Sequence, residues 1–229
     1  MAKTRIFITH GYDAHPQKHW FVWLKSQLEN MQNTALKEFL QDSLSVEILE
    51  LPNPSAPSLD SWFACLQKTI GACDERTFLV GHSLGCITIL RYINESLLSG
   101  QSQNIGGVVL VSGFYENLEI LPELDTFINP QNRAPLQWQS LQKAINSRVV
   151  LCAKDDVIVP SALSENLANQ LNAELIMVEK GGHFMESDGF KELPIMLEIL
   201  FSQITASREP NRAKLKNNRP ILKNKDSIF

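Results

Sequence analysis

The pentapeptide Gly81-His82-Ser83-Leu84-Gly85 sets a serine between two glycines, after the apolar run Thr77 to Val80 and before a helical stretch carrying Ile87, Leu90 and Ile93. A serine hydroxyl becomes a useful nucleophile when a sharp turn presents it and a neighbouring base takes its proton. The G-x-S-x-G spacing supplies the turn. Glycines at 81 and 85 leave room for a strained serine backbone, and the helix that follows aims its first amides at the reacting centre. The pattern alone is weak, since its three fixed positions match by chance in roughly one chain in ten of this length. A serine capping a helix beside two glycines is the ordinary alternative. Context favours catalysis: the motif falls at the carboxyl end of a strand, and an acid and a histidine follow it in the order Ser, Asp, His.

The base is expected at His183, in Lys180-Gly181-Gly182-His183-Phe184, where glycines free the backbone to carry an imidazole over a sheet. The imidazole needs a carboxylate to fix its tautomer. Lys154-Asp155-Asp156-Val157-Ile158-Val159-Pro160 offers two, facing opposite ways in an extended segment; the spacing D-x-x-V-P selects Asp156 and leaves turn or capping work to Asp155. Acyl transfer also requires donors for a tetrahedral oxyanion. The backbone N–H of Leu84 is the first, and that of Tyr12, in the loop His10-Gly11-Tyr12, is the second. His82 should turn its side chain away from the Ser83 hydroxyl, and His15 and His19 read as surface histidines. Phe114, Tyr115, Phe184 and Trp62 are candidate pocket-lining residues, with burial in the core the competing reading.

These residues need a scaffold, and the rest of the chain supplies one. Strand-length apolar runs occur at Arg5 to Thr9, Ser45 to Leu51, Thr77 to Val80, Gly107 to Val111, Arg148 to Ala153 and Ala173 to Val178. Between them lie helix-length amphipathic stretches: Lys18 to Leu40, Ser58 to Ile70, Leu84 to Leu98, Leu136 to Ile145, Ser161 to Leu171 and Phe190 to Ile204. Strands that are nearly continuous in apolar residues are buried on both faces, so the alternation predicts a doubly wound α/β fold, a mainly parallel sheet flanked by helices. Functional groups then gather at the carboxyl ends of the strands. Phe114 to Pro135, interrupted by three prolines, is expected to be a minimal cap or pocket wall and suggests a small or protruding acyl group.

Composition narrows the class further. The chain has 229 residues, 44% apolar, and a formal charge of −4. Residues 208–229 carry a local +5, which leaves an acidic body of −9 that is poorly suited to nucleic acid. One domain over 1–207 followed by a basic, disordered tail over 208–229, of unknown protein partner, is the expected organisation. Four cysteines without C-x-x-C spacing fit reduced thiols in the cytoplasm, and no run approaches the length of a membrane span. The five histidines and four cysteines lack metal-ligand spacing, and neither G-x-G-x-x-G after the first strand nor a phosphate-binding P-loop is present. No metal or cofactor is called for.

Taken together, Ile8-Thr9-His10-Gly11-Tyr12, His19-Trp20-Phe21 with Trp23-Leu24, Leu51-Pro52-Asn53-Pro54, Gly81 to Gly85, Val109 to Phe114, Lys154 to Asp156 with Val159-Pro160, and Gly181-Gly182-His183-Phe184 resemble the YdeN and retinoblastoma-binding-protein-nine family of small serine hydrolases. The resemblance spans almost all of residues 5–205. It implies a compact α/β-hydrolase fold with no large lid and a triad at Ser83, Asp156 and His183. The expected activity is hydrolysis of an ester, thioester or activated amide through an acyl-enzyme, on a small-molecule or acyl substrate. The reading from a different class is an inactive member of the fold that serves as a protein-binding module.

Overall fold

Six apolar runs become six strands, β1 (Lys3–Thr9), β2 (Ser43–Ile48), β3 (Thr77–His82), β4 (Ile105–Val111), β5 (Ile145–Ala153) and β6 (Glu174–Val178), in a computed structural model that describes residues 3–32, 43–101 and 104–208. They form one sheet in the order β2-β1-β3-β4-β5-β6, and every neighbouring pair is parallel. Parallel pairing requires crossovers. These are helices α1 (Phe21–Gln32), α2 (Leu59–Ile70), α3 (Leu84–Leu98), α5 (Trp138–Ala144) and α6 (Ser161–Leu171), with α7 (Ile195–Arg208) closing the described chain.

Strand residues alternate between two cores. Phe7, Leu79, Val108, Leu110 and Val150 face α2, α3, α5 and α6, whereas Ile6, Ile8, Phe78, Val80, Val109, Val111 and Leu151 face α1 and α7. Burial of both faces explains why β3 and β4 are apolar along their whole length. The chain leaves β1 toward β2 and returns to β3 on the other side of β1, so the crevice between the ends of β1 and β3 is where such a sheet offers a binding site.

Some boundaries differ from the sequence reading. The first helix starts at Phe21 rather than Lys18 and is described to Gln32; the expected extension to Leu40 lies outside the described residues, as does the basic segment beyond Arg208. β4 begins at Ile105 because Gly106 and Gly107, which look like a break in isolation, continue the ladder: Ile105 pairs with Ile145, and Gly107 with Phe78 and Ser147.

The expected irregular cap holds a 3-10 turn (Pro122–Leu124) and the one-turn helix α4 (Asp125–Ile128). It is fastened to the body rather than free. Leu118, Leu124, Phe127 and Ile128 are buried, and Phe127 packs edge-on to Trp62 with ring centroids 5.2 Å apart. From α3, the buried Arg91 donates to the carbonyls of Ile128 and Ala134, both at 2.9 Å, and Asn94 Oδ1 accepts the N–H of Gln137 at 2.7 Å. Arg91→Met keeps the apolar stem but leaves two carbonyls without donors. Urea unfolding is expected to show a loss of about 2–4 kcal/mol, seen as a lower midpoint at unchanged slope.

Candidate active site

The carboxyl ends of β1, β3, β4, β5 and β6 lie side by side and deliver Gly11, Ser83, Ser112, Asp156 and His183 in that spatial order. Ser83 stands between β3 and α3 with φ 53° and ψ −123°, a left-handed conformation that a serine adopts only where packing forces it. The forcing contacts are backbone ones. A Cβ on Gly85 would lie 2.4 Å from the carbonyl oxygen of Thr9, and one on Gly81 would lie 2.9 Å from the backbone of Cys86. A Cβ on Gly11 would come within 2.9 Å of the Ser83 Cβ, so the loop after β1 presses directly on this serine. Ser83 keeps 8% of its surface exposed.

Asp156 and His183 meet in the interior. His183 Nδ1 donates to Asp156 Oδ2 at 2.8 Å, which leaves the lone pair of the neutral ring on Nε2. The same Oδ2 accepts from the hydroxyl of Ser112 at 2.8 Å, while Oδ1 accepts the N–H groups of Ile158 and Val159, both at 2.9 Å. Four donors therefore satisfy one buried carboxylate, as removal from water demands. Asp155 faces the other way: its Oδ1 accepts the N–H groups of Gly181 and Gly182 at 2.8 Å and holds the start of the histidine loop.

That loop is clamped by groups with no obvious signature in the sequence. Asp188 Oδ2 accepts the N–H of His183 and of Met185, each at 3.0 Å, and His82 Nε2 donates to the His183 carbonyl at 2.8 Å. Both polar backbone groups of His183 are thus held by side chains. His82 turns from the serine toward this carbonyl, and its ring packs against Trp20, Phe21, His19 and His183. His10 is likewise built in. It accepts the N–H of Leu51 on Nε2 at 3.3 Å and donates from Nδ1 to the Gly11 carbonyl at 2.9 Å.

Two expectations are corrected. His19 is not a free surface histidine: its ring contacts Phe21 and His82, and its Nδ1 accepts the N–H of Glu186 at 3.0 Å. Trp62, Phe114 and Phe184 are fully buried and belong to the two cores, and Trp62 spends its indole N–H on the Pro52 carbonyl. Tyr115, half-buried, packs on Trp138. A groove of about 920 Å³ that opens beside His183 has none of these four residues in its wall; Val157, Ile158, Met177, Met185 and Phe190 supply its apolar lining. Residue type made those four aromatics the natural choice, but the strand and loop faces gave the groove Phe190, aliphatic side chains and methionines, with Asp155, Glu179, Lys180 and Asp188 among them.

Comparison with known proteins agrees with the geometry. A family model described as serine hydrolase matches residues 6–202. The chain belongs to this serine hydrolase family. It is 39% identical over 198 residues to YdeN of Bacillus subtilis (strain 168), covering 86% of this chain and 95% of that protein. The crystal structure of the B. subtilis ydeN gene product superposes with a TM-score of 0.76 at 36% identity, over 88% of this chain and 99% of that one. The serine hydrolase RBBP9 of Rattus norvegicus is 22% identical over 186 residues, 81% of this chain and 87% of its own length. The serine hydrolase is thus an enzyme of ester or amide hydrolysis through an acyl-enzyme, acting on an acyl substrate, and its buried Ser112–Asp156–His183 network fits that chemistry. Among the described residues, no helix is long and apolar enough to cross a membrane.

The histidine cluster makes the hydrolase sensitive to acid. Burial, reinforced by Lys18, pushes His19 down to about 4, and burial with His183 alongside pushes His82 well below the ordinary histidine range. Unfolded histidines titrate near 6.5, so below that pH the unfolded chain binds protons the folded one refuses. Stability from these groups is complete above about pH 6.5 and declines as pH falls toward 4. Urea titrations between pH 7 and pH 4.5 should show this decline. His19→Gln, which cannot take up the proton, should make it shallower.

Proposed function

We propose that Ser83 is the nucleophile of this hydrolase, with His183 as general base and Asp156 as the carboxylate that orients it. The observation that carries the assignment is the strained backbone of Ser83 at the head of α3, next in sequence to the residue that holds the His183 carbonyl. Ser83 Oγ attacks the acyl carbon while His183 Nε2 takes its proton. The developing oxyanion is received by the N–H of Leu84, in the first turn of α3 where amides have no partner within the helix, and by that of Tyr12. The packing of Gly11 against Ser83 supports the second donor, because it sets the following peptide at the edge of the serine. His183 then protonates the leaving group, and water, activated by the same nitrogen, releases the acid.

Ester, thioester or activated amide substrates fit this scheme. The groove beside His183, where Val157, Ile158, Met177, Met185 and Phe190 lie among Asp155, Glu179, Lys180 and Asp188, offers room for part of such a molecule. The hydrolase needs no metal or cofactor for these steps and no nucleic-acid partner. Its compartment on this reading is the cytoplasm, supported by four free cysteines, three of them buried. The one-domain organisation over 1–207 with an appended basic tail belongs to the same proposal.

A fluorophosphonate probe tests the assignment, since it phosphonylates an activated serine and expels fluoride. Wild type should label stoichiometrically and Ser83→Ala not at all. Asp156→Asn should slow labelling by about three to four orders of magnitude by favouring the wrong imidazole tautomer. Asp155→Asn, whose side-chain oxygen still accepts from Gly181 and Gly182, should slow it by no more than about tenfold. Absence of labelling in folded wild type would return the protein-binding reading to the front.

A further inference from the structure

Ser112 is a serine whose properties the triad does not explain. It is fully buried, it follows the last residue of β4, and its φ of 47° lies in the left-handed region that a glycine would occupy without strain. Its N–H is fixed by the Leu151 carbonyl at 2.8 Å, so the strand ladder continues through it into the neighbouring strand β5. Its hydroxyl lies 2.8 Å from Asp156 Oδ2, the same oxygen that receives His183 Nδ1–H. Lacking exposure and already donating to the carboxylate, it is badly placed to attack a substrate.

We propose that Ser112 is a positioning residue that tunes the base: its hydroxyl holds the Asp156 carboxylate in register and limits how much negative charge that carboxylate presents to His183. This rests on the assignment of Asp156 and His183 above. A donor on a carboxylate oxygen draws off charge density that would otherwise stabilise a neighbouring imidazolium. The backbone donors of Ile158 and Val159 both bind Oδ1, so Ser112 alone shares Oδ2 with the histidine among the described residues. Without the hydroxyl, Oδ2 serves His183 only. The imidazolium is then favoured to higher pH, and the carboxylate gains freedom to rotate away from the productive line.

The other charged and titratable groups around His183 and Asp156 are Asp155 and Asp188, which bond to the backbone of the histidine loop, His19 and His82, and the Cys152 thiol, which burial keeps protonated. None of them reaches Asp156 Oδ2, so a change at Ser112 acts through that oxygen.

The test compares wild type, Ser112→Ala and Ser112→Gly across a pH series with a p-nitrophenyl ester and with the fluorophosphonate probe. Glycine suits the φ of 47° and protects the experiment against misfolding. In both variants the acid-side midpoint of the kcat/KM profile should move to higher pH by about half a unit, and the plateau should fall roughly tenfold. A fall in activity with an unmoved midpoint, or no change at all, overturns the proposal and leaves Ser112 a structural residue. Failure of wild type to react with the probe would instead count against the Ser83 assignment, so the two readings fail separately.

Discussion

A carboxylate enclosed by protein must be given donors, and the active end of this hydrolase is organised around that requirement. Asp156 takes two donors from its own loop, one from the end of the strand beside it and one from His183. The loop donors exist because the chain turns sharply after β5, bringing the N–H groups of residues 158 and 159 back onto the side chain. The strand donor exists because β4 and β5 are paired in register, with Val111 opposite Leu151. Shifting one of those strands would leave a charge in the interior without its partners, a penalty of several kcal/mol. The orientation of His183 thus follows from the pairing of the sheet.

The histidine is constrained from three further directions. Asp188 holds its N–H, His82 holds its carbonyl, and Asp155 anchors the two glycines before it. Those glycines release the backbone to make the turn, and the side-chain contacts remove that freedom again. A rigid loop costs entropy once, during folding, rather than at each catalytic event. The two neighbouring aspartates, indistinguishable by composition, divide the work: one supports the ring and the other supports the loop that carries it.

Much of this was legible in the sequence, for a definite reason. Six strands and six principal helices could be read from apolar runs and helical periodicity because a doubly wound sheet buries both faces of its strands. Ser83, Asp156 and His183 stood out because turn chemistry limits which residues can sit at strand ends. Ser112, Asp188 and the anchoring role of His82 did not. Their partners are 44, 5 and 101 residues away in sequence, and a serine or an aspartate in a loop has the same local signature whether or not it reaches a distant carboxylate or amide. His19 failed for the same reason, since its burial depends on a loop 167 residues downstream. The aromatic pocket failed differently: Trp62, Phe114 and Phe184 are large and apolar, and those are the properties that drew them into the core.

The sheet order also determines what is lost first when the hydrolase is stressed. The serine grows from β3, buried in the centre, but the histidine hangs from β6, a strand that is exposed or half-exposed along its whole length and, among the described residues, pairs with β5 alone. Edge segments open locally at a lower free energy than a central strand does. The proposed nucleophile and its proposed base therefore belong to regions of unequal protection. An excursion that frees β6 would separate Ser83 from His183 while the rest of the sheet stays folded, so reinforcement of that margin protects their alignment more directly than added stability at the centre.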